Sequence, residues 1–136
     1  MSSVPTVPSD VQRVYDALPK PQSATLLAVR HLIFEVGSNN QSVGPIEEAL
    51  RWGELAYLTT QSKSGSTVRL GVDRASGSAA VFFNCKTTLV EEFRQQFGGL
   101  FEFSKNRAIL LDAEADLPVD ALAVCIAAAL TYHLRR

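Results

Sequence analysis

Cysteine is scarce in this chain: 136 residues carry two, Cys85 and Cys125. They stand far apart with no paired spacing, which excludes a disulfide framework and a cysteine-based zinc motif. Charge of one sign is also missing. The formal net charge is -1 and the basic residues are scattered, so there is no electrostatic footprint for nucleic acid or an anionic membrane surface. Long apolar runs are absent too, since the longest, Ala121 to Leu130, is far too short to span a bilayer. The opening MSSVPTVPSD has neither a basic segment nor an apolar stretch, so no secretory leader is expected. No phosphate-cradling glycine loop and no serine or cysteine nucleophile motif occurs. His31 and His133 fall in different expected helices, without a carboxylate at ligand spacing. These absences imply a soluble protein of the reducing cytoplasm, with no nucleic-acid or membrane partner and no cofactor.

What is present is patterning for one domain. The length suits a single core, with residues 1–8, rich in proline and small polar residues, as a flexible arm and 9–136 as the folded unit. Ser9-Asp10-Val11-Gln12 reads as a capping box opening a first helix, closed by Pro19 and Pro21. A second helix is predicted over residues 22–36, stopped by Gly37 and buried along Leu26, Val29, Ile33 and Val36. Residues 54–60, 67–72 and 79–83 read as strands, with short loops that force an antiparallel meander. The glycine of the loop 61–66 is expected to supply a positive φ. Thr88-Leu89-Val90-Glu91 reads as a second capping box, and residues 101–103 and 107–111 as further strands. Pro118 opens a last helix, apolar around most of its circumference and therefore buried. The fold class that follows is α+β, an antiparallel sheet packed by helices.

The stretch from Ile46 to Thr60 reads as the junction between the two kinds of periodicity. Gly44-Pro45 followed by Glu47 and Glu48 has the composition of a helix start, and Gly53 that of a helix stop. On that reading Trp52 ends a short helix and wedges between helix and sheet. Arg30 falls inside the apolar sector of the second helix. A buried guanidinium without a partner is costly, so a structural ion pair with Glu47 or Glu48 is expected.

The motifs LAVRHLI at Leu27–Ile33 and EEALRWGELAY at Glu47–Tyr57 resemble the YdhG-like family, a domain family of unknown function. The likeness covers most of the chain, although Ala56 stands where that family commonly has proline. It implies an α+β fold with an antiparallel sheet, sometimes compared with frataxin, and some members are linked to iron delivery. It implies no reaction.

Three places have the residue types of a site. Asn84-Cys85-Lys86 precedes a helix, a setting that favours thiolate. Asp112, Glu114, Asp116 and Asp120 form the densest acidic cluster, of a kind that suits hard cations. They lack the glycine and terminal glutamate of a calcium loop, however, and no metal site is assigned. The side of the sheet away from Val68, Leu70 and Val72 carries Thr67, Arg69 and Gly71. An aromatic and aliphatic surface with a fixed cation is expected there. It would form either a small-ligand pocket bordered by Trp52, Tyr57 and Arg69, or a homodimer face. The function expected from the residues is a non-enzymatic small-ligand binding or protein-interaction module. An iron-binding protein like the frataxin-compared relatives is the alternative, and an enzyme is the least supported. Frataxin-type iron binding needs an exposed acidic ridge, whereas the first helix offers only Asp10 and Asp16.

Overall fold

Alternation of Val68, Leu70 and Val81 with Arg69, Gly71 and Phe82 gives the centre of the sheet one apolar side, and the helices pack on that side. A computed structural model describes residues 4–135. The order is α1 (Ser9–Ala17), α2 (Lys20–Ser38), β1 (Glu47–Arg51), β2 (Glu54–Leu58), β3 (Val68–Val72), β4 (Ala79–Phe82), α3 (Leu89–Phe97), β5 (Glu102–Ser104), β6 (Ala108–Leu111) and α4 (Val119–Leu130), with a short 3-10 turn at Tyr132–Leu134. The six strands lie in the order β1-β2-β3-β4-β6-β5 and all neighbours are antiparallel. The first four form a meander. The chain then crosses through α3 to the far edge and returns as β6 beside β4. The protein is a single α+β domain.

The core lies between the sheet and the helices, with Leu26, Val29 and Ile33 of α2 and Leu122, Ile126 and Leu130 of α4 fully buried against Leu55, Val68, Val81 and Ile109. In α4 Leu122, Cys125, Ile126, Ala129 and Leu130 are buried, while Val119 and Val124 reach the surface. The loop after β2 clamps the end of this helix. Ser66 N–H donates to Ala129 O at 2.9 Å and Ser64 Oγ to Leu130 O at 2.8 Å.

Several segments depart from what their sequence pattern predicts. The segment from Ile46 to Trp52 is not a helix: Glu47–Arg51 is β1, paired with β2 from Glu47↔Leu58 to Arg51↔Glu54. So short a helix is marginal on its own, and ladder bonds together with the burial of Leu50 and Glu48 outweigh its helix-forming composition. Trp52 and Gly53 form the two-residue turn, both with positive φ (56° and 76°), the primed geometry that matches strand twist. Trp52 is 93% exposed and wedges against nothing. Neither capping box forms. Pro8 takes the cap position of α1, and Thr88 Oγ1 bonds Glu92 rather than a backbone N–H. Pro21 sits in the first turn of α2, where its missing N–H is not needed. Gly37 does not stop that helix; it is buried where a side chain would meet Ile46. In the loop 61–66 the positive φ belongs to Lys63, and Gly65 is instead where the backbone touches Leu130. Residues 4–8 form no helix or strand, yet Val4 and Val7 pack against the core and Pro5 O accepts a bond from Arg30.

Candidate functional site

Two clusters of polar chemistry flank the sheet, one on each side. The inner one is built on Arg30, which α2 delivers into the apolar layer. Its Nε and Nη2 reach Glu48 Oε2 and Oε1 at 2.6 and 2.9 Å, a two-pronged bond with both side chains almost fully buried. Nη2 also donates to Pro5 O at 2.9 Å, and the guanidinium lies 5.0 Å over the Phe34 ring. The Tyr57 hydroxyl donates to Glu48 Oε2 at 2.8 Å and sits 2.6 Å from the Tyr15 hydroxyl. The hydrogen bonds to Glu48 hold Arg30 even more firmly protonated than usual. Burial pushes the Tyr15 phenol up to about 12, and burial also raises that of Tyr57. Arg30, Glu48, Tyr15 and Tyr57 each have a side-chain partner here. The cluster is structural, tying the N-terminal segment, α1, α2, β1 and β2 together. Glu47 is on the opposite face, 3.5 Å from Arg51.

The outer cluster lies on the face that no helix covers. Strand pairing sets Arg69 opposite Phe82 and Gly71 opposite Ala80, with Ala56 beside Arg69 on β2. A groove of about 630 Å³ runs over this face, lined among others by Glu54, Arg69, Gly71, Arg74, Phe82 and Arg107. The Phe82 ring lies beside Gly71, where a Cβ would stand 3.4 Å from it, in ordinary contact. The Arg107 guanidinium stacks over that ring at 5.1 Å, a favourable cation–π arrangement. Among the described residues the side chains of Arg69 and Arg74 have no hydrogen-bonded or ion-pair partner. The acids in the lining are Glu54 and Asp73, and Asp73 is engaged by Ser76 at 2.8 Å.

The structure does not bring Trp52, Tyr57 and Arg69 together. Tyr57 pairs with Val68 and so faces the helices, fully buried. Arg69 points the other way, and Trp52 is at the tip of the β1–β2 turn. Of the three only Arg69 lines the groove. Arg74 was not singled out by the sequence because it lies in a turn, where alternation assigns no face; Arg107 was read only as the first residue of the strand 107–111, whereas the strand begins at Ala108. Cys85 is exposed at the groove's rim. Cys125 is buried in α4, its thiol pushed up to about 12 by burial. Asp112, Glu114, Asp116 and Asp120 are exposed around the entry to α4, and Asp112 accepts the Glu114 N–H at 2.9 Å. Among the described residues no three of His, Cys, Asp and Glu come together so as to hold a metal ion. His31 is exposed, 2.9 Å from Glu35, and His133 is exposed near the chain end. No helix among the described residues is long and apolar enough to cross a membrane. Compared with family models, curated proteins and solved structures, the chain matches none.

Proposed function

We propose that this protein is a cytoplasmic binding module that takes a small molecule bearing a carboxylate or phosphate on the open face of its sheet. The observation that carries the reading is the pair of guanidinium groups, Arg69 and Arg74, without carboxylate partners in a groove whose floor is Phe82 and Gly71. A planar guanidinium held at a surface offers a fork of donors that fits either anion. Arg107, already stacked on Phe82, adds a third positive charge without closing the floor. The groove lies within the size range of small-ligand sites. Two unpaired cysteines, one of them exposed, support a reducing compartment.

Calorimetric titration with a panel of aliphatic and aromatic carboxylates and phosphates tests the reading. At least one ligand should bind, with affinity that falls as salt rises and about tenfold or more when Arg69 becomes Ala. Failure of the whole panel to bind, or binding unchanged in Arg69→Ala and Arg107→Ala, overturns it.

A further inference from the structure

Among the described residues no strand pairs with the outer edge of β1, and the residues there are arranged to match a second copy of themselves. The Asp73 N–H donates to Ser78 O beyond the β3–β4 ladder, and the Phe83 N–H to Arg107 O beyond the β4–β6 ladder. Because antiparallel bonding alternates residue by residue, these two bonds fix which residues face which neighbour across the sheet. Glu47, Ala49 and Arg51 bond to β2, while the backbone groups of Glu48 and Leu50 point off the free edge. Among the described residues nothing bonds to them there. β1 contains no proline and no bulge, two of the devices that blunt exposed edges.

We propose that this edge pairs antiparallel with the β1 edge of a second copy, about a two-fold axis through Ala49. In this register the free backbone groups of Glu48 meet those of Leu50 from the other copy, and the reverse, making both hydrogen-bonded pairs. Glu47 falls opposite Arg51 of the second copy, and Arg51 opposite its Glu47, in the closer non-bonded positions where side-chain pairs interact best. Within one chain the same two residues make only a loose 3.5 Å contact and are both about two-fifths exposed. The two other registers that keep the backbone bonds are centred on Glu48 and Leu50. The first sets two Glu48 residues face to face, and neither forms the Glu47–Arg51 pairs. Charge complementarity therefore selects the axis at Ala49.

Trp52 points to the same edge. It is a large aromatic residue, 93% exposed, in a left-handed conformation (φ 56°) that is unfavourable for residues other than Gly, Asn and Asp. It contributes nothing to the fold that explains its presence. In the proposed register it lies just past the end of the other copy's strand, beside that copy's Pro45 and Ile46, where it gains cover.

Sedimentation equilibrium of the full chain, from micromolar to sub-millimolar concentration, tests the proposal. Wild type should show a reversible dimer, and Trp52 fluorescence should shift on dilution along the same curve. Glu47→Arg and Arg51→Glu each set like charges opposite one another twice, and each should weaken dimerisation about tenfold or more. Mixed in equal amounts, the two variants restore both ion pairs and should form a heterodimer that neither forms alone. Circular dichroism of each variant checks that it is folded, and the mixing result holds only for folded chains. A wild type that is monomeric throughout overturns the proposal. So does a dimer indifferent to both charge reversals, or one that Arg69→Glu disperses in their place.

Discussion

Tyr15 and Tyr57 hold their hydroxyls 2.6 Å apart in the core, with Glu48 and Arg30 completing the chain of bonds. Breaking a buried ion pair by removing one partner strands the other. Arg30→Ala should therefore cost about 3–5 kcal/mol by denaturant titration, far more than a surface arginine. The tyrosines make stability pH-dependent on the alkaline side. An unfolded tyrosine ionises near its ordinary 10.0, whereas Tyr15 in the fold resists to about 12 and Tyr57 is raised in the same direction. Above pH 10 the unfolded chain therefore holds fewer protons than the folded one, and stability falls as pH rises. The slope approaches about 1.4 kcal/mol per pH unit for each tyrosine. Phenolate absorbance from these two should appear together with loss of helical circular dichroism. Phenolate signal from both in a chain still folded contradicts their burial. At the turn tip the expectation is opposite in sign. Trp52→Asn relieves a left-handed aromatic residue and creates an Asn-Gly turn, so the monomer should gain up to about 1 kcal/mol, where a core tryptophan would lose several.

At the scale of elements, what was legible in the sequence were the units whose periodicity and burial agree. The apolar sector of α2, the three strands of the meander and the proline at the start of α4 are read from spacing alone, and the short loops make the strands antiparallel. β1 was not legible, because Glu-Glu-Ala-Leu-Arg is helix-forming in composition and becomes a strand only through pairing with β2. A helix over this segment would put Trp52 inside, whereas the hairpin leaves it outside. The same helix would hide the two-residue turn, whose first position gives no sign in the sequence of a positive φ. The candidate site was legible only in part. Alternation put Arg69 and Gly71 on the side away from Val68, but it left open which face the helices cover. It could not bring in Arg74 from a loop, nor Arg107, which precedes β6 although the expected strand starts at it. The loop after β2 illustrates the same limit. Gly65 suits a turn, yet its role is contact with the end of α4. Gly65→Ala drives a methyl group into the Leu130 backbone, and should destabilise by about 1–3 kcal/mol as overpacked sites do. A thermal unfolding midpoint equal to wild type contradicts the clamp.

Across the whole molecule, one layer of helices serves a six-stranded sheet, so the four central strands have a buried inner side, while the edge strands β1 and β5 are half-buried at most. Protection of backbone amides should follow position in the order β1-β2-β3-β4-β6-β5, highest at the centre beneath α2 and α4 and lowest at the two edges. Within β1 the bonding alternation makes a sharper distinction. Ala49 N–H is directed to β2, while the amides of Glu48 and Leu50 face outward. In dilute protein Glu48 and Leu50 should exchange fast with Ala49 between them slow, an on-off pattern that fraying of the whole strand would erase. Raising the concentration should slow exchange at Glu48 and Leu50 alone if the edge pairs with its own copy, and Glu47→Arg should abolish that slowing. Contact through the open face would leave these two amides fast at every concentration, because the outer side chains stand perpendicular to the plane in which the edge amides point. Exchange read residue by residue by NMR therefore separates the two surfaces from one data set.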